Sequence, residues 1–196
     1  MIKSIQLSKF NGYPCESLSC NITYITQDKF QDVLELYNKV NSAMDNKGWL
    51  KSRDIDYLQG VLDKGGFIIG CYVGNNLIAS ALCEVPQGEY KNILYKIGMD
   101  ELDINSTYIS GFVMVDPLYR GNALHRILLE TRIELSIKNN VKNIVTVVNS
   151  ENIFSLKTIL SLGFELKHEI ENNDNSVRYV LYKNLVDSSN LNNVIA

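Results

Sequence analysis

Apolar residues recur at spacings of three and four from Phe30 through Val33, Leu34, Tyr37 and Val40 to Met44, which predicts one helical stripe. Thr26 stands where an N-cap belongs, and Asn21–Ile25 alternates enough for a short strand ahead of it. A second helix is expected over Ile55, Leu58, Val61 and Leu62, capped by Ser52 and stopped at Gly65-Gly66. The period then changes. Phe67–Val73 and Leu77–Val85 are continuous apolar runs around Gly74-Asn75-Asn76, and because Gly and Asn tolerate positive φ this reads as the strongest hairpin signal. Gln87–Ser106 is mixed, a loop or short helix with Tyr90, Leu94, Tyr95 and Ile97 on one face. Thr107–Val115 reads as a strand stopped by Asp116-Pro117, and Leu124–Ile137 as a helix with Ile127, Leu128, Thr131 and Leu135 inward. Asn143–Val148 is a β-branched strand. Ser150 or Asn149 caps a helix running to Leu162 and closed by Gly163. Phe164–Ile170 and Val177–Leu185 then form a second hairpin around an Asn172–Asn175 turn. The order β-α-α-β-β-(loop)-β-α-β-α-β-β predicts an α+β fold, a mixed sheet with helices on both faces.

Composition narrows the class without naming it. The 196 residues contain no Pro/Gly-rich linker, so one domain over 1–185 is expected, followed by a short polar tail from Val186 to Ala196. A chain of this length buries a core without a disulfide or metal staple. Nineteen Lys and Arg against 22 Asp and Glu give a net charge of −3, which argues against general nucleic-acid binding. No apolar run approaches the roughly 18 residues of a membrane span, and the start lacks the charged and apolar regions of a signal peptide. The expectation is a soluble, cytoplasmic protein with neither membrane nor nucleic acid as partner. Cys15, Cys20, Cys71 and Cys83 form no CxxC pair, and His125 and His168 lie far from them, so reduced, buried thiols are expected and no metal site.

The chemistry lies in Val113-Met114-Val115-Asp116-Pro117-Leu118-Tyr119-Arg120-Gly121-Asn122-Ala123-Leu124-His125. A strand ends at a proline, a short basic turn follows, and a helix begins at once. The first turn of a helix presents backbone N–H groups and the positive end of the helix dipole. Gly121 and the small Ala123 let those amides approach a phosphate, and Arg120 adds a guanidinium suited to its oxygens. Alone, the segment fits an anion cradle and an ordinary strand–turn–helix connection equally.

From about Ile22 to Leu185 the sequence resembles the GNAT superfamily of acyl-CoA-dependent N-acyltransferases. Two separated blocks carry the resemblance: Val115-Asp116-Pro117-Leu118-Tyr119-Arg120-Gly121-Asn122-Ala123, and Asn152-Ile153-Phe154-Ser155 with Leu162-Gly163-Phe164. The resemblance implies a central, mostly antiparallel sheet of about seven strands whose middle strands, holding Val115 and Val147, splay to admit acetyl-CoA as co-substrate. It implies that the backbone of Val113, Met114 and Val115 pairs with the pantetheine arm. Arg120, Gly121, Asn122, Ala123, Leu124 and His125 would bind the pyrophosphate, and Asn152, with Ser155 one turn on, would meet the pantetheine region. Two departures from the pattern matter. Ala123 and His125 replace the family's small residues, Ala123 being tolerated if its φ is negative. His125 adds a donor that titrates near neutrality, or else a solvent-facing ring. More sharply, the tyrosine that many members use as general acid, four residues beyond Ser155, is Ile159, which cannot protonate a leaving thiolate.

No catalytic acid or base is secure in the sequence. The strand position where relatives often carry glutamate falls near Ile109, and neither Tyr108 nor Ser110 is a strong base at neutral pH. Glu84 could act through water or be a solvated edge carboxylate. Tyr108 could relay a proton or be a core aromatic. Tyr179 and Tyr182 differ by three, so they face opposite sides of a strand. Glu84, Glu89, Asp100, Glu101 and Asp103 form an acidic stretch that could attract a cationic amine or simply be solvated. The function expected is acetyl transfer from acetyl-CoA to a primary amine, a small molecule in preference to a protein or peptide. The alternatives are a non-catalytic acyl-CoA sensor and a phosphate-binding α/β module, the latter weakened by the lack of any GxxxxGK[ST] or GxGxxG pattern.

Overall fold

The computed structural model describes residues 1–172 and 175–186. Eight strands are hydrogen-bonded neighbours in the order β1-β2-β3-β4-β5-β6-β8-β7, mostly antiparallel, with β5 and β6 parallel. The chain divides into two compact units, each built from two stretches: Met1–Cys83 with Phe112–Leu128, and Glu84–Gly111 with the chain from Leu129 onward.

The first unit opens with a hairpin that the hydrophobic pattern did not predict. Strands β1 (Lys3–Phe10) and β2 (Tyr13–Tyr24) pair from Lys3↔Ile22 to Phe10↔Tyr13. The two residues between them, Asn11 and Gly12, both have positive φ, 49° and 79°, as a type I′ turn requires. The strand expected at Asn21–Ile25 is therefore the end of a much longer one, and the sheet has eight strands where about seven were expected. Helix α1 (Phe30–Ser42) follows a 3-10 turn that begins after Thr26. It buries Phe30, Val33, Leu36 and Val40, so Leu36 takes the inward place and Leu34 lies at its margin. Helix α2 (Ile55–Asp63) is capped by Asp54, whose Oδ1 accepts from Tyr57 N at 2.8 Å, and not by Ser52. Strands β3 (Phe67–Val73) and β4 (Asn76–Glu84) form the expected second hairpin. Phe30, Val33, Leu36, Val40, Leu58, Val61, Ile68 and Leu82 meet in one core with Met114. Each such burial contributes about 1.5–3 kcal/mol.

In the second unit the mixed stretch resolves into α3 (Gly88–Lys96) and α4 (Glu101–Asn105). Strand β5 (Thr107–Val115) begins here, and its parallel ladder to β6 (Asn143–Asn149) runs from Thr107↔Asn143 to Ile109↔Val145. Helix α5 (Leu124–Lys138) buries Leu129, Thr131, Arg132, Leu135 and Ser136 in this unit, while Ile127, expected inward, is only half-buried. Helix α6 (Ile153–Ser161) is capped by Asn152 rather than by Asn149 or Ser150. Strands β7 (Glu165–Glu171) and β8 (Val177–Asn184) close the described chain. The core here is Ile93, Leu94, Met99, Ile104, Ile109, Val145 and Val180. Of the expected polar tail, residues 187–196 lie outside the described residues, as do 173 and 174 of the last turn.

Candidate functional site

Strand β5 is not regular. Phe112 has φ +50°, a left-handed conformation that costs a bulky residue on the order of 1–3 kcal/mol. The kink ends the fully buried run of Thr107–Ser110 and leaves Val113 and Val115 half-buried around a buried Met114. In the first unit, the Tyr37 ring stacks on Phe112 with centroids 6.2 Å apart and planes at 20°. In the second, the guanidinium of Arg132, only 1% exposed, donates to Gly111 O at 3.3 Å. The backbone of 113–115 thus follows directly on a kink at Phe112.

The turn after β5 is organised by Asp116, a residue the sequence reading used only as a strand stop. Its N–H donates to Ile78 O at 2.8 Å, its Oδ1 accepts from Leu118 N at 3.0 Å, and its Oδ2 accepts from Lys39 Nζ at 2.5 Å. The carboxylate is nearly buried and Lys39 half-exposed. Pro117–Tyr119 makes one 3-10 turn, Gly121 follows with φ +85°, and Ala123 accepts the first helical bond from Ile127 N at 3.0 Å. Ala123 has φ +55°, so the condition set for its easy tolerance, a negative φ, is not met. It occupies a left-handed position that favours glycine. Asn122 is inside the turn, but its side-chain amide faces the N-terminal hairpin, accepting from Ser8 N and Lys9 N and donating to Lys9 O and Tyr119 O. Arg120 is exposed, Leu124 buried and His125 half-buried in the first turn of α5.

A cavity of about 400 Å³ in the first unit borders this turn from behind. Three carboxylates, Asp32, Glu35 and Asp116, line it against the single cation Lys39. That acidic lining disfavours a phosphate in this cavity.

The second unit holds the other sequence candidates. Asn152 Oδ1 accepts from Ser155 N at 3.2 Å, so its oxygen caps α6. Glu84 and Tyr108 are both buried, which removes the solvated-edge reading of Glu84. Tyr182 donates its hydroxyl to Asn143 Oδ1 at 2.8 Å. The acidic stretch is spent locally: Asp100 caps α4 by accepting from Asp103 N, and Glu101 pairs with Lys91 and accepts from Tyr95 OH. Those contacts hold the Glu101 carboxyl below its ordinary range, the Tyr95 hydrogen bond first and Lys91 next. The cysteines are free thiols as expected, three of them buried. The hydrogen bond to Cys20, with burial, pushes the Cys71 thiol far up, away from thiolate chemistry. Among the described residues no cluster of His, Cys, Asp and Glu could hold a metal ion. No described helix is long and apolar enough to cross a membrane.

No protein-family model and no curated protein matches the sequence. Solved structures do match the fold. An N-acetyltransferase from Staphylococcus aureus Mu50 superposes with a TM-score of 0.65 at 18% identity, over 85% of this chain and 98% of that one. An acetyltransferase of the GNAT family from Streptococcus pneumoniae gives 0.65 at 13% identity, over 84% and 98%. The chain has the GNAT fold. A third GNAT-fold neighbour, yncA from Salmonella typhimurium, was solved with its cofactor acetyl-CoA; it gives 0.63 at 17% identity, over 85% and 94%. On the GNAT fold, the turn Asp116–Ala123 and the start of α5 form one continuous piece of the first unit, whereas Asn152, Ser155, Glu84 and Tyr108 belong to the second. Ile159, which the sequence resemblance sets in place of a tyrosine, is 3% exposed and is a buried residue of α6.

Proposed function

We propose that this protein is a GNAT-type N-acetyltransferase, with residues 1–185 as one catalytic domain that moves an acetyl group from acetyl-CoA to a primary amine by direct attack in a ternary complex. The observation that carries this reading is the strand–turn–helix of Val113–His125, a kinked strand leading into a left-handed Gly121 and a fifteen-residue helix. The residues fit the cofactor. Gly121 holds a left-handed φ of +85° that its lack of a Cβ permits, and its open side is covered by the Lys9 side chain, whose ammonium would be at hand for a phosphate. Arg120 supplies charge, and the backbone of 113–115 supplies donors and acceptors for the pantetheine amides. The side chains of Asn122 and Asn152 act as fasteners, leaving their backbones and the Ser155 hydroxyl for the coenzyme.

Acetyl-CoA supplies the activated thioester. A neutral amine nitrogen attacks the thioester carbon, forming the C–N bond, and the developing oxyanion is met by a backbone N–H of Met114 or Val115. The C–S bond then breaks, the nitrogen loses a proton, and the thiolate takes one up from water. Ile159 cannot supply it, and Glu84 and Tyr108 are buried. Rate enhancement rests mainly on holding thioester and amine at near-attack distance. We assign the acceptor to small amines. The buried aliphatic Ile159 favours one rival reading, acyl-CoA binding without transfer.

One experiment separates them: thermal unfolding with acetyl-CoA, ATP or NAD, followed by turnover with a panel of small amines and peptides. A ligand at a hundredfold excess over its Kd stabilises the native state by about 2.7 kcal/mol. A rise in Tm selective for acetyl-CoA, with free thiol released only when an amine is present, is expected. Binding without turnover would leave the sensor reading standing, and no shift at millimolar acetyl-CoA would overturn the cofactor assignment.

A further inference from the structure

The N-terminal hairpin does more than extend the sheet. Its tip rests on the turn before α5: Asn11 N donates to Leu118 O at 2.6 Å, and Phe10 packs edge-on against Tyr119 with centroids 5.3 Å apart. Just before the tip, the β1–β2 register slips between Leu7 and Lys9, where Ser8 stands opposite the three residues Cys15, Glu16 and Ser17, so the extra residues lie on β2. In a regular strand successive N–H groups point to opposite edges, so two that share one acceptor mark a break in the pleat at this irregularity. Here the N–H groups of Ser8 and Lys9 both donate to Asn122 Oδ1, each at 3.0 Å. Asn122 Nδ2 donates back to Lys9 O at 2.8 Å and to Tyr119 O at 2.9 Å. The amide makes all four hydrogen bonds open to it, and two of its partners are the backbone of Lys9.

This clamp lays the Lys9 side chain across Gly121. A Cβ built on Gly121 would sit 3.2 Å from Lys9 Cδ and 3.9 Å from Nζ. Among the described residues neither Lys9 nor Arg120 has a carboxylate partner. Two unpaired cations therefore flank one left-handed glycine just before a helix, and neither lines the acidic cavity. We infer that Lys9 is a diphosphate-binding residue of the coenzyme site, carried there by the N-terminal hairpin and held by Asn122. The inference rests on the acetyl-CoA reading above and extends it, because it makes the N-terminal hairpin part of the coenzyme site.

The test is calorimetric titration of the full chain with coenzyme A and with dephospho-coenzyme A, which keeps the diphosphate and lacks the 3′-phosphate. Lys9→Met, at an exposed position, leaves the Tm unchanged and weakens both ligands about tenfold, the scale of one charge-assisted hydrogen bond. Lys9→Arg restores most of the loss. Asn122→Ala also weakens both, and adding Lys9→Met to it costs little more, since the lysine is no longer aimed. Equal affinities of wild type and Lys9→Met for coenzyme A overturn the inference and leave the cofactor site intact. A loss confined to coenzyme A would move Lys9 to the 3′-phosphate and overturn the diphosphate assignment. Failure of the wild type to bind either ligand at millimolar concentration overturns the acetyl-CoA reading, and Lys9 with it.

Discussion

Two residues sit in environments that their chemistry resists. Ala123, at φ +55°, carries a left-handed backbone that costs an L-residue about 1–2 kcal/mol relative to glycine, offset by the extra unfolded-state entropy of glycine. Ala123→Gly should therefore stabilise by up to about 1 kcal/mol and raise Tm by roughly 2–4 °C for a chain of this size, read by thermal unfolding. A lower Tm would mean that the methyl group packs favourably. Tyr72 is the second case. Its hydroxyl is buried with no hydrogen-bond partner, and burial, with Asp32 and Asp28 nearby, pushes it up to about 12. Because the unfolded chain releases this proton near pH 10, the native state loses stability as pH rises from about 10 to about 12. Tyr72→Phe should leave Tm at pH 7 unchanged or higher and remove part of the alkaline loss; a fall at pH 7 would mean that the hydroxyl is solvated.

At the scale of elements, the turn between β5 and α5 depends on one carboxylate. Asp116→Ala deletes the acceptor for Leu118 N and the partner of Lys39 together. The half-exposed Lys39 can turn to water, so the loss should stay near 2 kcal/mol, with a corresponding fall in Tm. Asp116→Asn, which keeps an acceptor oxygen, should lose less, and equal losses would assign the effect to charge alone. Sequence patterning read most elements because their apolar faces are periodic: α1 from Phe30 to Val40 and β5 over Thr107–Val115 came out at or near their bounds. It failed on the first hairpin, where β1 and β2 expose most of their residues and no apolar alternation marks them. The available signal was Asn11-Gly12, a stronger type I′ pair than the Gly74-Asn75-Asn76 turn that was favoured. Caps were misplaced by two or three residues, with Asp54 and Asn152 doing the work, since several polar residues precede each helix and only geometry selects among them.

For the molecule as a whole, the GNAT fold was readable from two short blocks because both mark bends of the backbone. What they left out is what side chains do at those bends. The side chain of Asn122 serves as a clamp, Ala123 sits in a strained left-handed backbone, and Asp116, read as punctuation, organises the turn. None of these roles has a sequence pattern of its own, since each depends on a partner far away in the chain. Each compact unit is likewise assembled from two separated stretches.

That interleaving bears on how the chain is made. The ribosome delivers Met1–Cys83 first, but the remainder of the same unit, Phe112–Leu128, follows only after an intervening piece of the other. At ordinary synthesis rates the wait is roughly 2–9 s. During it β4 has no β5 beside it, and a nascent chain with an open strand edge and a half-built core is a natural client for a chaperone.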